Sequence, residues 1–132
     1  IAVEAHVGVN DKGVKAYILH PISVMMRCKT DEEKIAAILH DVVEDTDWTF
    51  EALSDEGFSE TIIEALQTVT KCSEDEDYDG FIQRSLKNDI GRKVKIADLR
   101  ENLDVTRLGQ LDEKDITRIN KYKRALSVLT KI

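Results

Sequence analysis

A run of small and apolar residues, Ile35, Ala36, Ala37, Ile38 and Leu39, leads directly into a His-Asp doublet, His40 and Asp41, and two more carboxylates follow at Glu44 and Asp45. The run reads as a buried helix. At 3.6 residues per turn, Glu44 lies one turn beyond His40 and Asp45 one turn beyond Asp41. Four polar groups therefore crowd one end of an otherwise apolar element. Burying such groups is costly unless they are hydrogen-bonded, paired or bound to a cation. Any fold that buries this helix must bring partners to its polar end, and a metal ion resolves the cost directly.

The same logic locates further ligands. A metal held by imidazole and carboxylate usually takes three or four protein ligands, and the chain has three histidines, His6, His20 and His40. His20 stands immediately before Pro21, the only proline. Proline fixes its own φ and biases the preceding residue away from the helical region. His20 is thus expected just ahead of a helix beginning at Pro21. Asp98 follows Ile96 and Ala97, and Asn102 lies one turn further along the same face. The candidate ligand set is His20, His40, Asp41 and Asp98. His6 either faces this site or packs between the first helix and the loop after it.

The rest of the chain reads as an all-α, compact multi-helix bundle forming a single domain over residues 1–132. A first helix is expected to end near Gly8, followed by a polar loop over 9–16 and a second helix from Pro21 to about Cys28. Thr30 with Glu33 three residues on is a capping-box signature for a third helix running to the doublet. Thr49 and Ser59 cap two more, the second carrying an apolar stripe of Ile62, Ile63, Leu66 and Val69. An acidic loop is expected over 73–77, and helices over about 78–88, 90–107 and 112–131. The last would turn Ile116, Ile119, Tyr122, Leu126 and Leu129 to one side.

A length of 132 residues suits one core. The net charge of −7 argues against a nucleic-acid footprint, which needs a clustered basic face. It leaves room for a polyphosphate, because a metal and a few local cations set the field at a site. Candidates for those cations are Lys12, Lys15, Lys71, Arg92 and Lys95. Cys28 and Cys72 lack Cys-x-x-Cys spacing and read as reduced thiols. No apolar run approaches the ~20 residues of a membrane span. The expectation is a cytoplasmic protein with no membrane and no nucleic-acid partner, acting on a small molecule; the sequence leaves oligomeric state open.

Four segments in order carry a resemblance: Tyr-Ile-Leu-His-Pro at 17–21, Leu-His-Asp-Val-Val-Glu-Asp-Thr at 39–46, Thr-Val-Thr-Lys at 68–71 and Val-Lys-Ile-Ala-Asp-x-x-x-Asn at 94–102. Together they resemble the HD-domain metal phosphohydrolases. More narrowly, the chain is similar to the guanosine tetraphosphate/pentaphosphate hydrolase domain of the RelA/SpoT superfamily and its small single-domain relatives. The resemblance implies one divalent ion, manganese in the characterised hydrolases, on His20, His40, Asp41 and Asp98. It makes Glu44 and Asp45 the acid pair that works on the attacking water. It makes Asn102 a contact to the nucleotide sugar, and Lys12 and Tyr17 part of the segment bordering the base, with Lys95 among the substrate cations. Asp11 stands where the family's base-stacking arginine would be, Ala16 replaces its proline, and Glu101 replaces its histidine before the asparagine. Weaker or broader base selectivity is the expected consequence.

Three functions fit this reading. The first is metal-dependent removal of the 3′-pyrophosphate from (p)ppGpp-like nucleotides. The second is phosphohydrolysis of a different nucleotide, and the third a non-catalytic nucleotide- or metal-sensing module.

Overall fold

The computed structural model describes residues 1–7, 18–73, 75–104 and 109–131, and these form helices and turns with no strand among them. The expectations at Asp11, Lys12, Lys15, Ala16 and Tyr17 lie outside the described residues. In chain order the helices are α1 (Ala2–Ala5), α2 (Leu19–Met26), α3 (Asp31–Leu39), α4 (Val42–Asp45), α5 (Phe50–Asp55), α6 (Glu60–Thr68), α7 (Tyr78–Leu86), α8 (Asp89–Asn102) and α9 (Glu113–Thr130). The all-α reading therefore holds.

Side chains placed at the starts set the boundaries. The Thr30, Thr49 and Ser59 hydroxyls accept from the backbone N–H three residues on, at 3.1, 3.0 and 3.3 Å. The expected box at α3 is only half made, because Glu33 Oε1 accepts from Lys29 N at 3.3 Å and not from the cap residue. A complete box closes instead at Asp112 and Asp115, opening α9. After α5 the chain leaves through Gly57 at φ +103, a left-handed position that a side chain would disfavour.

Three boundaries differ from the sequence expectation. The first helix ends at Ala5, short of Gly8. The second begins at Leu19, so His20 lies inside its first turn; Pro21 is tolerated there because its missing N–H is one of the donors a helix start leaves unpaired anyway. Helix α8 ends at Asn102 and does not run on to 107; the Asp104 N–H bonds to Glu101 O in a tightened last turn.

Helix α8 organises the core. Val94 and Ala97 pack with Val24 of α2, Ala36, Ala37 and Leu39 of α3, and Ile62 and Leu66 of α6. From its other side Leu99 meets Ile82 of α7 and Ala125 and Leu129 of α9. The alanines of α3 admit close approach of α2 and α8. On α9 the stripe is real from Tyr122 to Leu129, but Ile116 remains 50% exposed, beyond the reach of this second cluster.

The α6–α8 contact depends on Gly91. A Cβ there would meet Thr68 Oγ1 at 2.0 Å and Thr68 Cβ at 3.3 Å. The hydroxyl is itself held, donating to Ala65 O at 2.7 Å. Gly91→Ala is expected to lower stability by ~1–3 kcal/mol, the usual cost of overpacking, despite alanine's better helix propensity. Chemical denaturation checks this; an unchanged midpoint would show that α6 and α8 separate freely.

Candidate metal centre

Four elements deliver polar groups to one buried point. His20 comes from the first turn of α2, His40 from the C-cap of α3, Asp41 from the N-cap of α4 and Asp98 from the middle of α8. The doublet does not continue a helix. It is the break between α3 and α4, though Asp45 N still bonds to Asp41 O at 2.9 Å, keeping those two residues one turn apart. His20 Nε2 lies 2.9 Å from Asp98 Oδ1. His40 Nε2 lies 3.2 Å from Asp41 Oδ2 and 3.4 Å from Asp98 Oδ1. The two imidazoles meet edge to face, with centroids 5.5 Å apart. One ligand atom each of His20, His40 and Asp41 falls within 4.8 Å of the others, a spacing that can hold a metal ion.

The protonation of His40 tests whether the residues fit a cation. Its Nδ1 is 2.6 Å from Ala37 O. A carbonyl only accepts, so Nδ1 carries the hydrogen and donates. A neutral ring then turns a lone pair at Nε2 toward two carboxylates, and Nε2 is buried without a well-formed hydrogen bond. That arrangement is repulsive unless a proton or a metal sits at Nε2. Burial alone would lower the His40 pKa, yet Asp41 and Asp98 outweigh it and hold the group well above 6.5. Imidazole nitrogen with carboxylate oxygen is a donor set suited to a divalent ion, and a backbone carbonyl on the far ring nitrogen is the usual support of a metal-binding histidine. The site accordingly has the character of a His/Asp divalent-metal site.

Asp98 joins the two halves. Burial pushes its carboxyl up, but Lys95, His20 and His40 overcome this and hold it well below the usual carboxylate range. Its Oδ2 accepts from Lys95 Nζ at 3.0 Å and its Oδ1 from Asn102 Nδ2 at 3.3 Å. Lys95 and Asn102 are therefore brought to the site as partners of Asp98. The Lys95 ammonium also lies 5.0 Å over the Phe81 ring. His6 is buried and within electrostatic reach of Asp41, His40 and His20, with burial holding its pKa down.

The acid pair stands at the open edge. Glu44 Oε1 accepts from Lys71 N at 3.1 Å, which draws the Thr-Val-Thr-Lys segment to the site, a link that sequence spacing does not reveal. Asp45 is pushed up to about 6, by burial first and then by the neighbouring charges of Asp41 and Glu44. Both acids line a cavity of about 850 Å³ with Phe50, Lys71, Cys72 and Arg84. Of the other expected cations, Arg92 is engaged elsewhere, with Leu129 O at 3.2 Å and Asp89 at 3.7 Å. Glu101, the residue that departs from the family pattern, accepts from Arg27 Nε at 2.9 Å and ties α8 to α2. Arg84 is the residue that sequence reasoning missed.

No protein-family model matches the chain. Against curated proteins, it is 36% identical over 106 residues, 76% of its length, to the chloroplastic protein of Oryza sativa subsp. japonica named as a GTP diphosphokinase, RSH1. It is 39% identical over 75 residues, 54% of its length, to the guanosine-3′,5′-bis(diphosphate) 3′-pyrophosphohydrolase of Haemophilus influenzae, and 38% identical over 74 residues, 53% of its length, to that of Aquifex aeolicus. The match spans only 11%, 11% and 10% of these relatives. In fold, it superposes with a TM-score of 0.78 and 23% identity on the solved structure of a metazoan ortholog of SpoT described as hydrolysing ppGpp, covering 98% of this chain and 81% of that one. In sequence, then, the chain is similar to one stretch of the RelA/SpoT-type relatives, and it shares the all-α fold of the metazoan SpoT ortholog.

Proposed function

We propose that this domain, taken as residues 1–132, is a metal-dependent hydrolase that removes the 3′-pyrophosphate from (p)ppGpp-like nucleotides. The observation that carries the proposal is the convergence of His20, His40, Asp41 and Asp98 on one buried point with Glu44 and Asp45 at its open edge. The names of the relatives supply the substrate class.

His20, His40, Asp41 and Asp98 would hold one divalent ion, for which manganese is the best candidate because magnesium prefers all-oxygen sites. A bound divalent ion supplies positive charge that polarises a phosphoryl group and acidifies water. Glu44 and Asp45 orient the attacking water, take its proton and return one to the leaving group. Water adds to the phosphorus carried on the ribose 3′-oxygen, the bond from that phosphorus to the 3′-oxygen breaks, and the 3′-oxygen leaves with a proton. Pyrophosphate is released.

The open cavity beside the acids offers room for phosphates, with Lys71 on its wall. Lys12, Tyr17 and Asn102 would bind the nucleoside, and Lys95 would act at the same place by steadying Asp98. Two unpaired cysteines suit a reducing cytoplasm. Among the described residues no helix is long and apolar enough to cross a membrane.

A second reading, hydrolysis of a different nucleotide, is favoured by Asp11 and by the engagement of Glu101 with Arg27. One assay separates the two: manganese-supplemented turnover of guanosine tetraphosphate and of its adenosine counterpart, followed by phosphorus NMR. Guanosine diphosphate plus pyrophosphate is the expected product pair, with adenine tolerated because Asp11 stands where the base-stacking arginine would be. Turnover of the adenine compound alone would favour the second reading, and no turnover of either would overturn both.

A further inference from the structure

We propose that Arg84 is a positioning residue for Glu44, acting through the peptide that joins Thr70 to Lys71. The proposal rests on the assignment of Glu44 to proton transfer. It begins from a guanidinium whose donors are nearly all committed. Arg84 Nε donates to Glu76 Oε2 at 2.8 Å, and Nη2 donates to Glu76 Oε1 at 2.9 Å. Nη1 donates to Gln67 O at 2.8 Å and Nη2 also to Thr70 O at 2.8 Å. The ring of Phe81 lies beneath, 5.5 Å from Cζ.

The carbonyls at Gln67 and Thr70 belong to the end of α6 and the turn beyond it, where helical carbonyls run out of N–H partners and a cation is favoured. That alone would make Arg84 a helix-end staple. The geometry assigns it more, because Thr70 O and Lys71 N belong to one peptide unit. A trans peptide is planar, with its C=O and N–H pointing in opposite directions. Fixing the oxygen therefore fixes where the N–H points, and this N–H donates to Glu44 Oε1 at 3.1 Å. A cation on the oxygen also strengthens the donor at the other end, since linked hydrogen bonds polarise one another.

Glu76 completes the clamp from the other side. Its Oε1 accepts in addition from Cys72 N at 2.8 Å, so the segment carrying Lys71 is gripped on both flanks. The hydrogen bonds from Arg84 hold Glu76 down to about 2 from its ordinary 4.5. Its contribution is thus present above pH 4.5 and is lost only as pH falls toward 2, so the clamp stays charged wherever the domain would work. Glu44 sits on a short helix at the surface and gains through this route a fixed direction that α4 alone does not give it.

The test is a double-mutant cycle joined to an amide resonance. Arg84→Lys keeps the charge but loses the planar fork. It is expected to lower kcat about tenfold through misplacement of Glu44, with KM and bound metal unchanged. In a Glu44→Gln background the same substitution should change kcat by less than about twofold, because the residue it positions is already disabled. Glu76→Gln, which loosens the guanidinium without removing it, should give a smaller loss in the same direction and guards against an Arg84 variant that fails to fold. In the labelled protein, the Lys71 amide proton should move upfield in Arg84→Lys and in Glu44→Gln. Equal losses of kcat in both backgrounds would overturn the proposal. So would an unmoved Lys71 amide, whether or not hydrolysis is seen. A moved amide in a protein that hydrolyses neither nucleotide would instead overturn the proposed reaction and leave the relay standing.

Discussion

Asp98→Asn should abolish tight metal binding and destabilise the fold at the same time. In the proposed site this carboxylate contacts both imidazoles, His20 at 2.9 Å and His40 at 3.4 Å, and pairs with the Lys95 ammonium 3.0 Å away. Loss of an outer partner of a metal ligand already costs 10- to 100-fold in affinity, so losing the ligand itself should exceed ~100-fold and take hydrolysis with it. The stability effect has a separate origin. The side chains of Lys95 and Asp98 are only 12% and 8% exposed, and removing one partner of a buried pair leaves the other charge uncompensated, at ~3–5 kcal/mol. Calorimetric metal titration and thermal unfolding of the same sample separate the two. A variant that binds metal normally would remove Asp98 from the ligand set; one that keeps its stability would show Lys95 rescued by water. Acidity enters through His40. Its pKa is raised in the fold, so the stability that its protonation contributes is present below its ordinary 6.5 and is lost as pH rises through the raised value. A metal must displace that proton from Nε2, and its affinity should weaken on acidification.

The readable part of this site was what local pattern carries. The apolar run into His40 and Asp41 marked a helix with a polar end, and the Ile-Ala flank of Asp98 marked a buried carboxylate; both lie where those patterns put them. Caps at Thr30, Thr49 and Ser59 were equally legible, because each is a bond across three residues. What failed to show was whatever depends on distant chain or on competition between rules. The bias against helix ahead of a proline placed His20 outside α2, but a helix start has no use for the missing N–H, and the first turn absorbed it. Similarly, the one-turn spacing of Glu44 and Asp45 from the doublet assumes a continuous helix, whereas the chain breaks at the doublet, where His40 lies 3.2 Å from Asp41 and 3.4 Å from Asp98. Glu44 meets Lys71 across 27 positions, and Arg84 reaches Thr70 across 14. No local period encodes such pairs. The acidic stretch at 73–77 read as a solvated loop, yet Glu76 within it holds Arg84.

Amide replacement of the acid pair should have the opposite signature to loss of a ligand: activity falls while metal stays and, at Asp45, the fold gains. Asp45→Asn and Glu44→Gln are each expected to lower kcat by ~10²–10⁴-fold, the usual worth of a general acid or base. Asp45 is placed to exchange a proton near neutrality, because burial first, and then Asp41 and Glu44, push it up to about 6. That same shift has a stability consequence whose sign is fixed. A carboxyl whose pKa is raised on folding binds its proton more tightly in the native state, so its ionisation weakens the fold as pH rises through the interval from its ordinary 3.8 to about 6. Asp45→Asn removes that cost. The metal-free variant should therefore melt above the unmodified protein at pH 8 and lose the advantage below pH 3.8, by a modest margin since Asp45 stands partly in solvent, which screens the repulsion. Thermal unfolding at the two pH values, alongside kcat and metal content, reads all three effects. Full turnover by both amide variants would remove the pair from catalysis. A lower melting temperature at pH 8 would show that ionised Asp45 is held by an attraction strong enough to outweigh its two acidic neighbours. Activity and stability pull in opposite directions at this residue because the crowding that makes Asp45 a usable proton carrier is the crowding the fold resists.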